Sequence, residues 1–104
     1  SMGYYTNFQL DFTPSISDED RFLGDLKEFT GYNWRNDFEL YDVKWYSWMN
    51  DMTELSKKYP DHLFQLDGQG EESGDIWRAF FKDGKSQVSK ARIVFDEFNE
   101  AALK

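Results

Sequence analysis

The stretch His62–Lys85, HLFQLDGQGEESGDIWRAFFKDGK, sets two apolar runs on either side of a loop rich in glycine and acid, and it closes on an Asp-Gly pair. Short apolar runs bounded by turn residues read as strands. Asp83-Gly84 is the signal of a two-residue type I′ turn, in which both central residues need positive φ. Strands joined by connections this short pair antiparallel with their neighbours. The stretch therefore predicts strands at Leu63–Asp67 and Asp75–Lys82 and, after the turn, at Gln87–Phe95. Between the first two, Asp67, Gly68, Gly70, Glu71, Glu72, Gly74 and Asp75 read as a long, solvated acidic tip. A β-branched residue is expected to cost more at Gly84 than at Gly70, which the longer loop leaves free to adjust.

The rest of the chain supplies one more pair of strands and two helices. Tyr4–Phe12 alternates with a period of two, Tyr4, Thr6, Phe8, Leu10 and Phe12 on one face, which predicts a half-buried strand. Thr13-Pro14-Ser15 breaks it. Phe22, Leu23, Leu26 and Phe29 recur at helical spacing. Ser17 and Asp20 read as a capping box, Gly31 as the stop, and Asp18, Asp25 and Glu28 as the solvated face. Phe38–Trp45 changes parity midway, as a strand with a bulge near Tyr41 does. Trp48, Met52, Leu55 and Tyr59 predict a second helix, with Ser47 as its cap and Pro60 helping to end it. The tail from Asp96 is frayed coil or a short helical turn. The order β-α-β-α-β-β-β predicts an α+β two-layer sandwich with two helices and a C-terminal antiparallel three-stranded meander. One domain spans 2–104, with Ser1 read as a tag remnant before a natural start at Met2.

Composition narrows the function classes. Aromatic residues make up 19% of the 104-residue chain and cysteine is absent, so the core rests on ring burial and not on disulfides or thiolate-bound metal. Twenty acids against twelve bases give a net charge of -8. That balance opposes direct nucleic-acid binding and docking on anionic lipid, and suits a basic partner. No apolar run approaches the ~20 residues of a membrane span.

No chemistry-bearing motif stands out. Gly68, Gly70 and Gly74 are spaced G-x-G-x-x-x-G and precede a strand, so they lack the helix N-terminus that holds a dinucleotide pyrophosphate. Asp67, Glu71, Glu72 and Asp75 offer oxygen ligands, but not at the spacing of an EF-hand. The same carboxylates sit on a hairpin tip, where water is not excluded from an acid/base pair. His62, the one histidine, follows a Pro-Asp turn with no nucleophile in a recognisable setting. We therefore expect no catalytic residue, no metal and no cofactor. The strand Asp75–Lys82 is apolar on both faces, Ile76 and Phe80 on one, Trp77, Ala79 and Phe81 on the other, so one face is either covered by a second layer or offered to a partner. The candidate binding residues are Asp67, Gln69, Glu71, Glu72 and Asp75 at the acidic tip, with Trp77 and Tyr5 as aromatic anchors.

The segments Lys44-Trp45-Tyr46, Leu55-Ser56-Lys57-Lys58-Tyr59-Pro60 and Gly70-Glu71-Glu72-Ser73-Gly74-Asp75-Ile76-Trp77-Arg78, with the opening Met2-Gly3-Tyr4-Tyr5-Thr6, resemble a pattern in small uncharacterised bacteriophage accessory proteins. The likeness covers the first ten residues or so and the second half of the chain, and leaves Pro14–Asp42 unmatched. It implies a cytoplasmic setting in a bacterial host, where phage inhibitors of host enzymes and defence factors are common. It carries over no reaction and no functional residue. The leading expectation is a non-enzymatic protein that binds and modulates a host macromolecule, with a host protein of basic surface as the partner. A small-molecule or nucleotide-metabolite binder, a nucleic-acid mimic, an enzyme built on the loop carboxylates and a virion component are the rivals. A homodimer is compatible with each.

Overall fold

A computed structural model describes residues 3–104; Ser1 and Met2, read above as tag remnant and natural start, lie outside the described residues. The elements follow the expected order: β1 (Thr6–Thr13), α1 (Glu19–Thr30), β2 (Glu39–Val43), α2 (Trp48–Lys58), β3 (Leu63–Gly70), β4 (Ile76–Lys82) and β5 (Lys85–Lys90). The five strands form one antiparallel sheet, ordered β2-β1-β3-β4-β5. The fold is α+β, and β3-β4-β5 is the C-terminal meander. No helix among the described residues is long and apolar enough to cross a membrane.

The ladder assigns the faces, because residues directly opposite in antiparallel strands share a side. Phe12, Phe64 and Phe81 line up across β1, β3 and β4, as do Leu10, Leu66 and Ala79, and Phe8, Gly68 and Trp77. Both helices pack on this face. Phe22 of α1 stacks on Phe64 at 5.6 Å and meets Phe12 edge-on at 5.0 Å. Trp48 of α2 stacks on Trp77 at 4.2 Å and meets Phe81. Core side chains such as Phe22, Leu26, Met52, Leu55, Phe64, Leu66 and Phe81 are wholly inaccessible. The core mixes aromatic rings with aliphatic side chains, and its two buried indoles find polar partners: Trp34 Nε1–H donates to Thr30 Oγ1 at 2.9 Å and Trp45 Nε1–H to Asp51 Oδ2 at 2.7 Å.

Several local readings change. Asp18, not Ser17, is the N-cap of α1, its carboxylate accepting from the Arg21 N–H. Gly31 ends that helix in the left-handed region as expected. The bulge near Tyr41 is present: Thr6 to Phe8 of β1 faces Val43 to Leu40 of β2, Asp42 takes φ 52°, and the Asn7 side chain accepts the Asp42 N–H. Ser47 occupies the N-cap of α2 without capping it; its hydroxyl donates to Asp51 instead. Asp83 and Gly84 both take positive φ, as the type I′ turn requires.

The two ends of the meander depart further from expectation. β3 runs on to Gly70, so the acidic tip shrinks to 71–75. β5 ends at Lys90, not at Phe95, because Ile76 begins β4 and offers the chain no ladder beyond Ala91, whose N–H reaches the Ile76 carbonyl at 2.9 Å. Residues 91–99 carry no regular structure and a 3₁₀ turn follows at Glu100–Ala102. This arm lengthens the molecule. The radius of gyration is 16.7 Å, against the ~13 Å of a compact chain of this size.

Candidate functional site

The residues expected at one acidic, aromatic tip are distributed over three places. Trp77 lies on the helix-covered face, half-buried between Trp48 and Phe8. Its indole covers Gly68, where an added Cβ would collide with the ring. Trp77 is thus a packing residue of the core's edge and not an exposed anchor. The sequence signal for this was the gap at Gly68, opposite Trp77 in the ladder: a strand glycine marks a close approach.

Asp67 and Gln69 lie on the opposite, uncovered face. Arg78, directly across from Asp67, grips both carboxylate oxygens, Nε at 2.7 Å and Nη2 at 3.0 Å. The carboxylate holds the guanidinium pKa above its ordinary value. Around this pair the bare face carries Gln9, Asp11, Glu39 and Tyr41 on the β2 side and Ile76 and Phe80 on the β4 side. At the β4–β5 edge of the sheet a depression of about 340 Å³ is lined by Asp67, Ile76, Trp77, Arg78 and the Ser89–Ala91 end of β5.

Glu71, Glu72 and Asp75 sit at the end of the sheet, and this turn is pinned where a solvated tip was expected. The Tyr4 hydroxyl donates to Asp75 Oδ2 at 2.6 Å and accepts the Glu72 N–H at 3.1 Å. The Tyr5 N–H donates to Glu71 Oε1 at 2.9 Å, and the Tyr5 ring lies under Lys44 Nζ, 5.4 Å from its centroid. Asp75 raises the Tyr4 phenol pKa, so Tyr4 stays a donor at neutral pH. Gly70 belongs to the same knot: a Cβ there would strike Asp75 Oδ2 and the Tyr4 hydroxyl. The loop is thus less free to adjust at Gly70 than expected, while Gly84 takes the positive φ that makes a branched residue costly there. Of the three acids of this turn, Glu72 is the one whose side chain has no hydrogen-bond partner, being exposed and bonded through its backbone alone.

A further polar cluster escaped sequence reasoning. Asp25, read as solvated, is buried between the helices, where Tyr59 O–H donates to Oδ2 at 2.5 Å and Lys58 Nζ to Oδ1 at 3.0 Å. The Tyr59 hydrogen bond, and then Lys58, hold the Asp25 carboxyl below its ordinary pKa. Burial, and then Asp25, push the Tyr59 phenol up to about 12. Asp25 lies three residues after Phe22 and next to Leu26, which places it at the border of the apolar stripe; that spacing was the available signal. Both its oxygens are engaged, and a phenol with so high a pKa is no base at neutral pH. The cluster ties α1 to the C-terminal end of α2. His62 lines the adjoining groove with its Nδ1 2.8 Å from the Pro14 carbonyl. Among the described residues no group of three or more His, Asp or Glu side chains is placed to hold a metal ion.

A comparison with family models, with curated proteins and with solved structures finds no match to this chain.

Proposed function

We propose that this chain is a non-enzymatic binding protein that docks on a host protein of basic surface, acting in a bacterial cytoplasm as a phage-encoded modulator of a host enzyme or defence factor. The observation that carries the docking reading is the asymmetry of the sheet. Both helices cover one face, and the other stands without a layer. That face mixes carboxylates with apolar groups: Asp11, Glu39 and Asp67 stand near Tyr41, Ile76 and Phe80. Aromatic and aliphatic side chains supply the area that holds an interface, and the surrounding carboxylates steer a basic partner onto it.

The phage setting rests on the sequence resemblance alone. The preference for a binding protein over an enzyme rests on the placement of the polar clusters. The Asp67–Arg78 pair, the Tyr4–Asp75 knot and the Asp25–Tyr59–Lys58 cluster each satisfy their own groups.

The test compares wild type with an Asp11→Lys/Glu39→Lys variant in affinity capture from bacterial lysate at low and high salt. A discrete protein retained by wild type at low salt, released at high salt and not retained by the variant supports the reading. Identical capture by both chains removes the bare face from the mechanism.

A further inference from the structure

The C-terminal arm is the part of the molecule whose chemistry its own domain leaves unused. Beyond Lys90 the side chains of Ile93, Val94, Phe95, Phe98 and Leu103 stand 59%, 84%, 86%, 79% and 66% exposed. Isolated apolar residues on a surface are ordinary, but a contiguous run of them marks an interaction site. The arm continues from β5, an edge strand whose every residue is exposed and whose outer side faces no other strand.

Charge identifies the occupant. From Lys85 to Arg92 the ionisable residues are Lys85, Lys90 and Arg92; from Asp96 to Glu100 they are Asp96, Glu97 and Glu100. None of these charges has an ion-pair partner within 4.0 Å among the described residues. A segment that is basic in its first half, apolar in the middle and acidic in its second half is complementary to itself when laid antiparallel. β5 alone is not: pairing Lys85–Lys90 with a second β5 sets Lys85 against Lys90, a like-charge arrangement that blocks edge-to-edge association. The arm removes that block, because a two-fold axis at Val94 brings Asp96–Glu100 of one copy alongside Val88–Arg92 of the other, the stretch that holds Lys90 and Arg92.

We propose that residues 88–100 pair antiparallel with the same segment of a second copy, forming a homodimer in which the apolar stretch Ile93–Phe95 meets itself at the two-fold axis. A two-fold contact uses one patch twice, which is the commonest route to a closed oligomer. The area suffices. Four apolar side chains per copy, Ile93, Val94, Phe95 and Phe98, each hiding roughly 100–200 Å², give on the order of 800–1,600 Å² in all, which reaches the size range of stable interfaces. The pairing leaves the bare face of each sheet free, so this inference does not rest on the docking function and is tested on the protein alone.

The experiment uses two charge-reversed chains, Lys90→Glu/Arg92→Glu and Asp96→Lys/Glu97→Lys, with light scattering after size exclusion at tens of micromolar. All substituted positions are exposed, so each variant should keep the wild-type circular dichroism. Wild type is expected at twice the 12.4 kDa chain mass, and each variant alone as a monomer. An equimolar mixture should return to the dimer mass, because both halves of the mixed contact are again of opposite sign. A monomeric wild type, a variant that stays dimeric, or a mixture that stays monomeric each overturns the proposal.

Discussion

β2 and β5 are both edge strands, and they meet the problem of an open edge in opposite ways. β2 is short and bulged, and it is backed by buried neighbours. Leu40 and the preceding Phe38 are 5% and 8% exposed, and Trp34 and Trp45 close in behind them. The Asp42 bulge, held by Asn7, twists the ladder away from further pairing. β5 is regular and exposed along its whole length, and the chain leaves it as an apolar arm. One edge is finished within the domain, while the other carries only the lysines that discourage a second β5. Stability is thus concentrated toward β1, β3 and the helices, and availability toward β5.

The comparison is sharpest at Phe64 and Val88. Phe64→Ala removes a fully buried ring in contact with Phe12, Phe22 and Tyr59, and should cost about 3–5 kcal/mol. Val88→Ala, in the middle of β5, should stay within about 0.5 kcal/mol at concentrations where the chain is monomeric. Urea midpoints measure both, and comparable losses would dissolve the contrast between the two ends of the sheet.

Trp77 stands at the boundary between the two regions. Trp77→Ala should cost about 2–4 kcal/mol of folding stability, since it strips the cover from Gly68 and the stack from Trp48. Gly68→Ala should be destabilising by about 1–3 kcal/mol, because a methyl there needs the indole to move. Combining the two should cost less than their sum, since the first change makes room for the second. Strict additivity would mean the ring and the glycine do not share the site.

Asp25→Asn should lower stability by about 2 kcal/mol at neutral pH through loss of a charge-assisted pair of hydrogen bonds. The carboxyl's pKa is depressed by folding, so its contribution is present above the ordinary value of 3.8 and fades as pH falls through the lower folded value. The Tyr59 pKa is raised to about 12, so that contribution is whole below 10.0 and fades as pH rises through 12. The variant should therefore show a flatter acid limb in a stability–pH profile than wild type. An unchanged profile below pH 4 would separate Asp25 from acid unfolding.

The smallest effects lie in the turn after β3, where neighbouring acids should differ. Glu72→Ser should leave the urea midpoint within about 0.5 kcal/mol of wild type. Glu71→Ser with Asp75→Ser should cost about 1–2 kcal/mol, since it unpairs the Tyr5 N–H and the Tyr4 hydroxyl. Equal, negligible losses would return this turn to the solvated tip that its composition suggested.

What the chain's local pattern determines is each element and its apolar side. Alternation marks β1, spacing of three and four marks α1 and α2, and Asp83-Gly84 specifies its turn, because each depends on residues a few positions apart. The tertiary structure alone decided that both helices share one face, that β1 enters between β2 and β3, and that Asp25 and Trp77 turn inward. These outcomes depend on partners such as Tyr59, Lys58, Trp48 and Gly68 that arrive from distant segments, and no local period encodes them. The arm belongs to the same class: Gln87–Phe95 alternates like a strand throughout, but β4 begins at Ile76, and a strand extends only as far as its ladder partner.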